Sequence, residues 1–476
     1  MYSLYSNLSS PIKASIWFTI CSVLQKGIGL LTMPIFTRLL TTEQYGLFTV
    51  YNSWYAIISV IATLNLSEGV YNNGLTKFSN DRKKYTSSLQ GLSTFLTTIL
   101  LIIYLINIKF WNSILELSTF FMILMFAEMY FVPAYSFWVV GQRYNYKYKK
   151  LVIVTLLITI SIAVSGIIGV SLTVYKAEAR VFTNVLVYVL VGMIFYIYNL
   201  YKGKALVNAK YWKFAFRFNI FLVPHYLSMT ILNQADRIMI SQMAGKHEAA
   251  IYSVAYTVSS IMTIVTSAIN SSFIPFTYKA LKGKDYKAIG KNANSLLILV
   301  GGMCVLAMAF GPEIVGLFAT SEYYDAIWII PPVATSVYFI FLYPLFGNIE
   351  FYFEKTKYIA IASCCGAILN IVLNYIFINI FGYYAAGYTT LACYIIFSFA
   401  HYYFYKKILK EELPYIKIYN VRIILGISIS LLIMMVIMTV TYKYRLLRYS
   451  IIFILLVIAI IKRKKIKELM LYITKN

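Results

Sequence analysis

Several ionisable side chains of this sequence lie inside long apolar runs, where charge is costly. Lys26 and Glu128 fall near the centres of two such runs, and a third run carries His225, Asp236 and Arg237. A charged side chain in hydrocarbon costs at least ~2.5 kcal/mol, so residues of this kind usually face a polar cavity or a partner. Cations at that depth could hold an anionic ligand, and carboxylates could bind and release a coupling ion.

The spacing of these residues relates two parts of the chain. Arg38 follows Lys26 by twelve residues, and Arg237 follows His225 by the same interval. Both arginines lead into a short loop and then an aromatic-rich helix. We therefore predict two repeats in the same register and orientation, with cationic groups at matching positions around a shared anion cavity, as in secondary transporters.

Each residue also has a purely structural interpretation, which stays open at this point. Lys26 and Glu128 could pair with each other or with a backbone carbonyl. Asp236 and Arg237 could form an ion pair near the outer end of their helix. His225, which follows a proline, could be a satisfied core histidine at a kink.

The elements that position these residues are predicted to be membrane-spanning helices. The chain has 476 residues, of which 60% are hydrophobic and 12% are charged, and its mean hydropathy is +0.73. A soluble domain is about 25% charged. The apolar runs are about 20 residues long, enough for a helix to cross about 30 Å of hydrocarbon, and the short alternating segments of a barrel are absent. We predict an all-α polytopic membrane protein with about 14 spans. The predicted spans are residues 15–36, 46–66, 87–108, 117–139, 151–174, 181–200, 216–240, 250–273, 293–311, 327–347, 358–380, 385–405, 422–441 and 447–461.

Positive charge is distributed unevenly between the loops. The net charge is +25, and about 32 lysines and arginines fall in the termini and the loops on one side against about 8 on the other. Cytoplasmic loops carry the excess of Lys and Arg, so we predict that both termini are cytoplasmic. This topology accounts for the basic composition without nucleic acid, and membrane lipid is the expected partner of the basic loops.

The predicted spans divide into three segments. Residues 1–205 and 206–412 are predicted to form two six-helix lobes around a central cavity. Residues 413–476 are predicted to add two helices and a basic cytoplasmic tail. Neither a phosphate-binding Gly-rich loop, nor zinc-ligand spacing, nor a serine nucleophile elbow occurs in the sequence, so we expect no enzyme, no catalytic residue and no metal site. The expected cofactor is none beyond a coupling ion, H⁺ or Na⁺.

Two motifs carry a family resemblance. The first is the segment 27–46, which ends in Thr-Arg-Leu-Leu followed by Tyr-Gly, and the second is Asn-Gln-Ala-Asp-Arg-Ile-Met-Ile at 233–240 with Ala-Ala-Ile-Tyr-Ser-Val-Ala-Tyr at 249–256. With these motifs and its span count, the chain resembles the bacterial oligosaccharide flippases. These form the polysaccharide transporter family of the multidrug/oligosaccharidyl-lipid/polysaccharide exporter superfamily.

The resemblance implies a function as well as a fold. It implies a flippase that moves undecaprenyl-diphosphate-linked oligosaccharides from the inner to the outer leaflet of the bacterial cytoplasmic membrane, for O-antigen or capsule, by ion-coupled alternating access. Asp236 and Arg237 match the family motif and Lys26 matches it less closely, whereas Glu128 and His225 rest on the residues alone. We assign substrate binding to Lys26, Arg38, His225 and Arg237, and ion coupling to Glu128 and Asp236.

Two competing functions remain open. A multidrug or cation antiporter of the same superfamily would need a carboxylate-lined cavity, for which Glu128 and Asp236 are few. A membrane polysaccharide polymerase would act on the same lipid-linked oligosaccharide. Contact of a flippase with a polymerase and with the chain-length machinery is left open as well.

Overall fold

The computed structural model describes residues 9–461, and every regular element in that range is a helix. Eighteen α-helices follow one another with short connections, and a 3-10 helix, Ser321–Trp328, lies between the thirteenth and fourteenth. The α-helices are α1 Ser10–Leu39, α2 Thr42–Thr63, α3 Val70–Lys77, α4 Arg82–Ile106, α5 Ile108–Leu115, α6 Thr119–Tyr144, α7 Tyr148–Ser171, α8 Lys176–Gly203, α9 Ala209–Ile220, α10 Val223–Met243, α11 Lys246–Lys282, α12 Tyr286–Ala309, α13 Gly311–Phe318, α14 Ile330–Tyr352, α15 Thr356–Phe381, α16 Ala385–Glu412, α17 Val421–Thr441 and α18 Arg445–Ile461.

Local sequence sets several of these helix starts. Thr41 caps α2 in a reciprocal capping box with Gln44, which satisfies two backbone N–H groups. The side chains of Asn208 and Asn420 accept from the first turns of α9 and α17. Pro224 occupies the first turn of α10, where its missing N–H costs nothing.

The break before Pro224 corrects one prediction. The sequence analysis treated residues 216–240 as one span, whereas α9 ends at Ile220 and α10 begins at Val223. Pro224 lacks the N–H that would bond to the Ile220 carbonyl of a continuous helix, and its ring clashes with that carbonyl, so the helix is interrupted there. His225 consequently lies in the first turn of α10 and not in the middle of a span.

Eleven helices are long and apolar enough to cross a membrane, by length and composition. The other three predicted spans also fall on helices, namely α10, α16 and α18. Apolar side chains on α7 form an exposed stripe at intervals of three and four residues, as lipid contact requires. The stripe consists of Ile153, Leu157, Ile160, Val164 and Ile168. These observations confirm the prediction of an all-α polytopic membrane protein.

The first of two compact units is Met1–Ala250. Within it α6 packs along α8, α7 packs against α1 and α8, and α10 packs along α2. An apolar core rich in Met and aromatic residues, including Met125 and Phe121, lies among α2, α6 and α8. The unit includes α9 and α10, which the sequence analysis assigned to the second lobe. The predicted boundary between the two six-helix lobes, after residue 205, therefore stays a prediction.

The second compact unit is Ile251–Asn476. Its most enclosed helix is α14, which packs against α12, α16 and α17. An ion pair of Arg448 on α18 with Glu313 on α13 attaches the last described helix, and the Tyr449 hydroxyl donates to the same carboxylate at 2.6 Å. The predicted basic tail, Lys462 onward, lies outside the described residues.

Candidate functional site

The α2 helix is the element around which polar side chains of the first unit gather. Its Tyr51 hydroxyl donates to Glu128 Oε2 of α6 at 3.3 Å. Both side chains are buried, with Glu128 4% exposed and Tyr51 fully enclosed. Tyr55, one turn further along α2, interacts electrostatically with the same carboxylate. Glu128 is thus a buried acid surrounded by phenol groups.

Another side of α2 faces α10, whose motif segment 233–240 carries Arg237. The Ser53 hydroxyl of α2 donates to Gln234 Oε1 at 3.1 Å, and Arg237 Nη1 donates to the same oxygen at 3.2 Å. Arg237 Nη1 also donates to the Asn233 carbonyl, four residues earlier on the same helix, at 2.7 Å. The neighbouring Asp236 is buried, with 1% exposure. The guanidinium is therefore held in place by acceptors of its own helix.

Arg180 of α8 is a third buried ionisable residue, and its position at the outer end of a predicted span had indicated a loop cation exposed to water. It is 8% exposed, and its guanidinium lies 3.9 Å from the Phe36 ring centroid and 4.3 Å from that of Phe48. Gly166 makes room for it, since a Cβ there would lie 2.7 Å from Arg180 Nη1. Aromatic faces attract a desolvated guanidinium, so the two rings replace part of its lost water.

Tyrosines connect these buried groups within the first unit. Tyr188 of α8 interacts electrostatically with both Glu128 and Arg180. Tyr45 of α2 does the same with Arg180 and Arg237. The acid and the two arginines therefore belong to one polar path that follows α2.

A polar cavity of about 230 Å³ lies near the end of α2 that the charge pattern assigns to the cytoplasm. Its walls come from α1, α6, α7 and the turn after α2, and they include Gln25, Glu68, Tyr135, Arg143 and Thr155. Opposite charges face this space, because Glu68 and Arg143 both line it. The sequence analysis treated neither residue as part of a site.

The remaining predicted site residues are not gathered along this path. Lys26 and Arg38 are exposed on α1, and Arg38 Nη1 donates to the Pro34 carbonyl of its own helix at 2.7 Å. Across residues 9–461 no ion pair joins Lys26 to Glu128. His225 is partly buried beside Tyr226, with 5.9 Å between the ring centroids. The anion cavity shared by matching repeats therefore stays a prediction.

Two polar clusters of the second unit escaped the sequence analysis. Glu350 of α14 and His401 of α16 form a buried pair with 2.8 Å between Oε1 and Nδ1. The Thr389 hydroxyl of α16 donates to Asn374 of α15, whose Nδ2 lies 3.4 Å from Asn370 Oδ1. The sequence indicates the first cluster by one glutamate and one histidine, each inside an apolar run.

The side chains of the first unit offer groups that could recognise a polar or anionic ligand. Two held guanidinium groups and several phenols can donate hydrogen bonds to an oxyanion or to hydroxyl groups. A buried acid surrounded by phenols can exchange a proton or a cation. Among the described residues, no group of three or more His, Cys, Asp or Glu side chains could hold a metal ion.

Comparison with known structures identifies the fold. The chain is similar to the lipid II flippase MurJ in an inward closed conformation, with a TM-score of 0.70 and 15% identity, over 95% of this chain and 100% of that one. It is also similar to a multidrug resistance MATE family transporter of the MOP superfamily in an inward-facing conformation. That match has a TM-score of 0.60 and 13% identity over 82% of this chain and 96% of the other.

A MOP superfamily transporter from Pyrococcus furiosus gives a TM-score of 0.57 at 14% identity, over 84% of this chain and 96% of that one. At these identities the likeness establishes the fold alone.

Sequence comparison identifies the family. "Lsg locus putative protein 1" of Haemophilus influenzae (strain ATCC 51907 / DSM 11121 / KW20 / Rd) is 24% identical over 380 residues, which cover 75% of this chain and 89% of that protein. The family MatE matches residues 222–376. The family Polysaccharide biosynthesis protein matches residues 12–281, more than half of the chain. Together with the fold, these matches confirm the family resemblance. The chain belongs to the polysaccharide biosynthesis protein family.

Proposed function

We propose that this protein is a flippase for undecaprenyl-diphosphate-linked oligosaccharides in the bacterial cytoplasmic membrane, acting in the biosynthesis of O-antigen or capsule. The observation that carries the proposal is the polar path along α2 in a chain of this family, with Glu128 and Arg180 buried and Arg237 partly buried among membrane-spanning helices. Enclosed charges of this kind cost stability, so a functional reason for them is expected.

The substrate explains why such a path is needed. A lipid-linked sugar cannot cross about 30 Å of hydrocarbon unaided, because its hydroxyl and diphosphate groups would lose their hydrogen bonds to water. Side chains that donate and accept hydrogen bonds can replace that water while the prenyl chain stays in lipid. Alternating access would then expose the head group first to one side and then to the other.

We assign roles to the residues on the basis of this chemistry. Arg237 is proposed to contact the diphosphate, since its guanidinium is already oriented by Asn233 and Gln234 and matches an oxyanion in shape. Lys26, Arg38 and His225 are proposed as further contacts with the head group. Glu128 and Asp236, which are both buried, are proposed as carboxylates that couple transport to an ion.

A reconstituted flipping assay tests the proposal. Full-length protein is placed in vesicles that contain a fluorescent undecaprenyl-diphosphate disaccharide, and a membrane-impermeant quencher reports the outer-leaflet fraction. We expect Arg237→Ala to lower the flipping rate about 100-fold, Arg237→Lys about 10-fold, and Lys26→Ala to lower it as well. Arg217→Ala and Lys109→Ala, which change exposed cations, are the matched controls. Normal flipping by both Lys26→Ala and Arg237→Ala would exclude the assignment.

A second candidate is a drug or cation antiporter of the same fold, which the MatE match over residues 222–376 favours. Efflux of a cationic dye from the same vesicles distinguishes the two functions, because only an antiporter of that type would move the dye. In cells, loss of a flippase leaves lipid-linked repeat units facing the cytoplasm. Loss of a polymerase would instead leave single repeat units in the outer leaflet.

A further inference from the structure

The second unit contains a carboxylate and an imidazole that are enclosed together. Glu350 Oε1 lies 2.8 Å from His401 Nδ1, and their side chains are 0% and 2% exposed. The Tyr343 ring stacks on the imidazole with 5.4 Å between centroids, and the Phe397 ring meets it edge-on at 4.6 Å. The packing therefore fixes the geometry of the pair.

In each side chain of this pair, the polar atom that does not face the other residue has no hydrogen-bond partner in the described part of the chain. These atoms are Glu350 Oε2 and His401 Nε2, and both are buried. Buried polar atoms are almost always bonded, and an exception requires an explanation such as a functional role. Each of the two atoms can take up or give up a proton, so both are positioned to exchange one with a transient water molecule.

The nearest other charges in sequence are Lys406, five residues from His401 on α16, and Glu354 and Lys355, which follow α14 within five residues of Glu350. Lysines and arginines of the helices packed on α14 and α16 occur within about two turns of a helix end, and the acids Glu411 and Glu412 end α16 in contact with Lys355. Glu411 is ten residues from His401, about 15 Å along the helix. The remaining ionisable side chains of α12, α14, α15, α16 and α17 are tyrosines and cysteines. The cations are Lys287, Lys291, Lys357, Lys406, Lys407, Lys410 and Arg422.

The net charge of the pair depends on one proton. A carboxylate with a neutral imidazole carries a charge of −1, and one added proton makes the pair neutral on either residue. An uncompensated charge in a dry interior costs several kcal/mol, whereas the neutral pair avoids most of that cost. Removal of the proton therefore requires access of water to the site, which a conformational change of a transporter would supply.

We propose that Glu350 and His401 together form a proton-binding site, and that the proton is the ion whose movement drives transport. This inference rests on the proposed flippase function and adds the identity of the ion and a further pair of residues that bind it, beside Glu128 and Asp236. A proton from the outer aqueous side binds Glu350 Oε2 or His401 Nε2, and the pair changes from −1 to neutral. The proton later leaves to water on the cytoplasmic side, and no covalent bond of the protein changes.

The flipping assay with an imposed pH gradient tests the proposal. With the membrane potential clamped at zero, exchange of one proton for one substrate shifts the steady-state distribution of the fluorescent lipid about tenfold per pH unit. We expect this shift for the unchanged protein and for the control Glu411→Gln, which alters an exposed acid. Glu350→Gln and His401→Gln are expected to let the lipid equilibrate with no response to the gradient. A tenfold response in either of these two variants would overturn the proposal.

A measurement without substrate keeps this test separate from the flippase function. Infrared spectra of the full-length protein are recorded between about pH 5 and about pH 9. We expect a pH-dependent carboxyl band that disappears in Glu350→Gln and is altered in His401→Gln. ¹⁵N-histidine spectra of the unchanged protein, which has three histidines, add a test that requires no folded variant. Protonation of all three imidazoles and of the carboxyl groups that stays constant over this pH range would overturn the proposal even if lipid is flipped.

Discussion

The two units enclose ionisable side chains in different ways. In the first unit, neutral groups contact three of the charges: phenols contact Glu128, aromatic rings contact Arg180, and a carbonyl and an amide contact Arg237. In the second unit, Glu350 and His401 face each other. Contacts of the first kind are suited to recognition of a charged ligand. A mutually paired acid and base are instead suited to a change of one proton.

The largest effect is expected when the pair of the second unit loses one member. His401→Ala leaves Glu350 buried with no basic partner and should lower the free energy of unfolding by about 3–5 kcal/mol. Thermal unfolding in detergent, followed by tryptophan fluorescence, measures this change as an apparent Tm. Adding Glu350→Gln should restore part of the loss. Equal losses in the single and double variants would show that the pair is not electrostatically coupled.

A smaller effect is expected from the enclosed arginine of the first unit. Arg180→Ala removes a guanidinium that contacts two aromatic rings and should cost about 2–3 kcal/mol of stability. Arg180→Lys should recover little, because an ammonium group does not stack on a ring as a planar guanidinium does. The exposed Arg217→Ala serves as the matched control in the same unfolding measurement. Equal Tm values for both alanine variants would refute the structural role of the rings.

Removal of a single hydroxyl group tests whether neutral partners stabilise Glu128. Tyr51→Phe deletes the 3.3 Å hydrogen bond to the carboxylate and should destabilise the protein by about 1–2 kcal/mol. Tyr415→Phe, which alters a fully exposed phenol, should have no effect. In the background of Glu128→Gln, the loss caused by Tyr51→Phe should shrink. An unchanged loss there would mean that Tyr51 acts through packing alone.

The smallest effect is expected from the solvent-accessible ion pairs of Lys355 with Glu411 and Glu412. Lys355 lies 3.1 Å from Glu412 and 3.4 Å from Glu411 near the ends of α14 and α16. Hydrogen bonds to Glu412 and Glu411 raise the pKa of Lys355, so any stabilisation is present at neutral pH and is lost as the pH rises through the folded-state pKa. Lys355→Gln should leave the apparent Tm unchanged within error at neutral pH. A clear drop would weaken the contrast between buried and exposed pairs.

Much of the fold can be predicted from composition and charge alone. Long apolar runs predicted the helices, and all 14 predicted spans fall on helices of the structure. The main error is the single span over 216–240, where α9 ends at Ile220 and α10 begins at Val223. The apolar residues 220–223 lie on both sides of this break, so the apolar pattern did not locate it.

The candidate site was less accessible from the sequence. Glu128 and Asp236 were identified because each interrupts an apolar run, and both are buried. Arg180 was missed because it lies in the first turns of its helix, where an arginine usually reaches water. Its enclosure depends on Phe36 and Gly166 from other helices, and such tertiary contacts have no local signature.

The position of Arg180 affects how easily cations could pass through the protein across the membrane. A guanidinium stays cationic at physiological pH, and this one is fixed between two rings near the start of α8, the end that the loop charges assign to the outside. A fixed positive charge raises the electrostatic energy of any other cation that enters the same narrow region. Free passage of sodium ions past Arg180 should therefore be disfavoured, whereas an anionic group would be attracted to it.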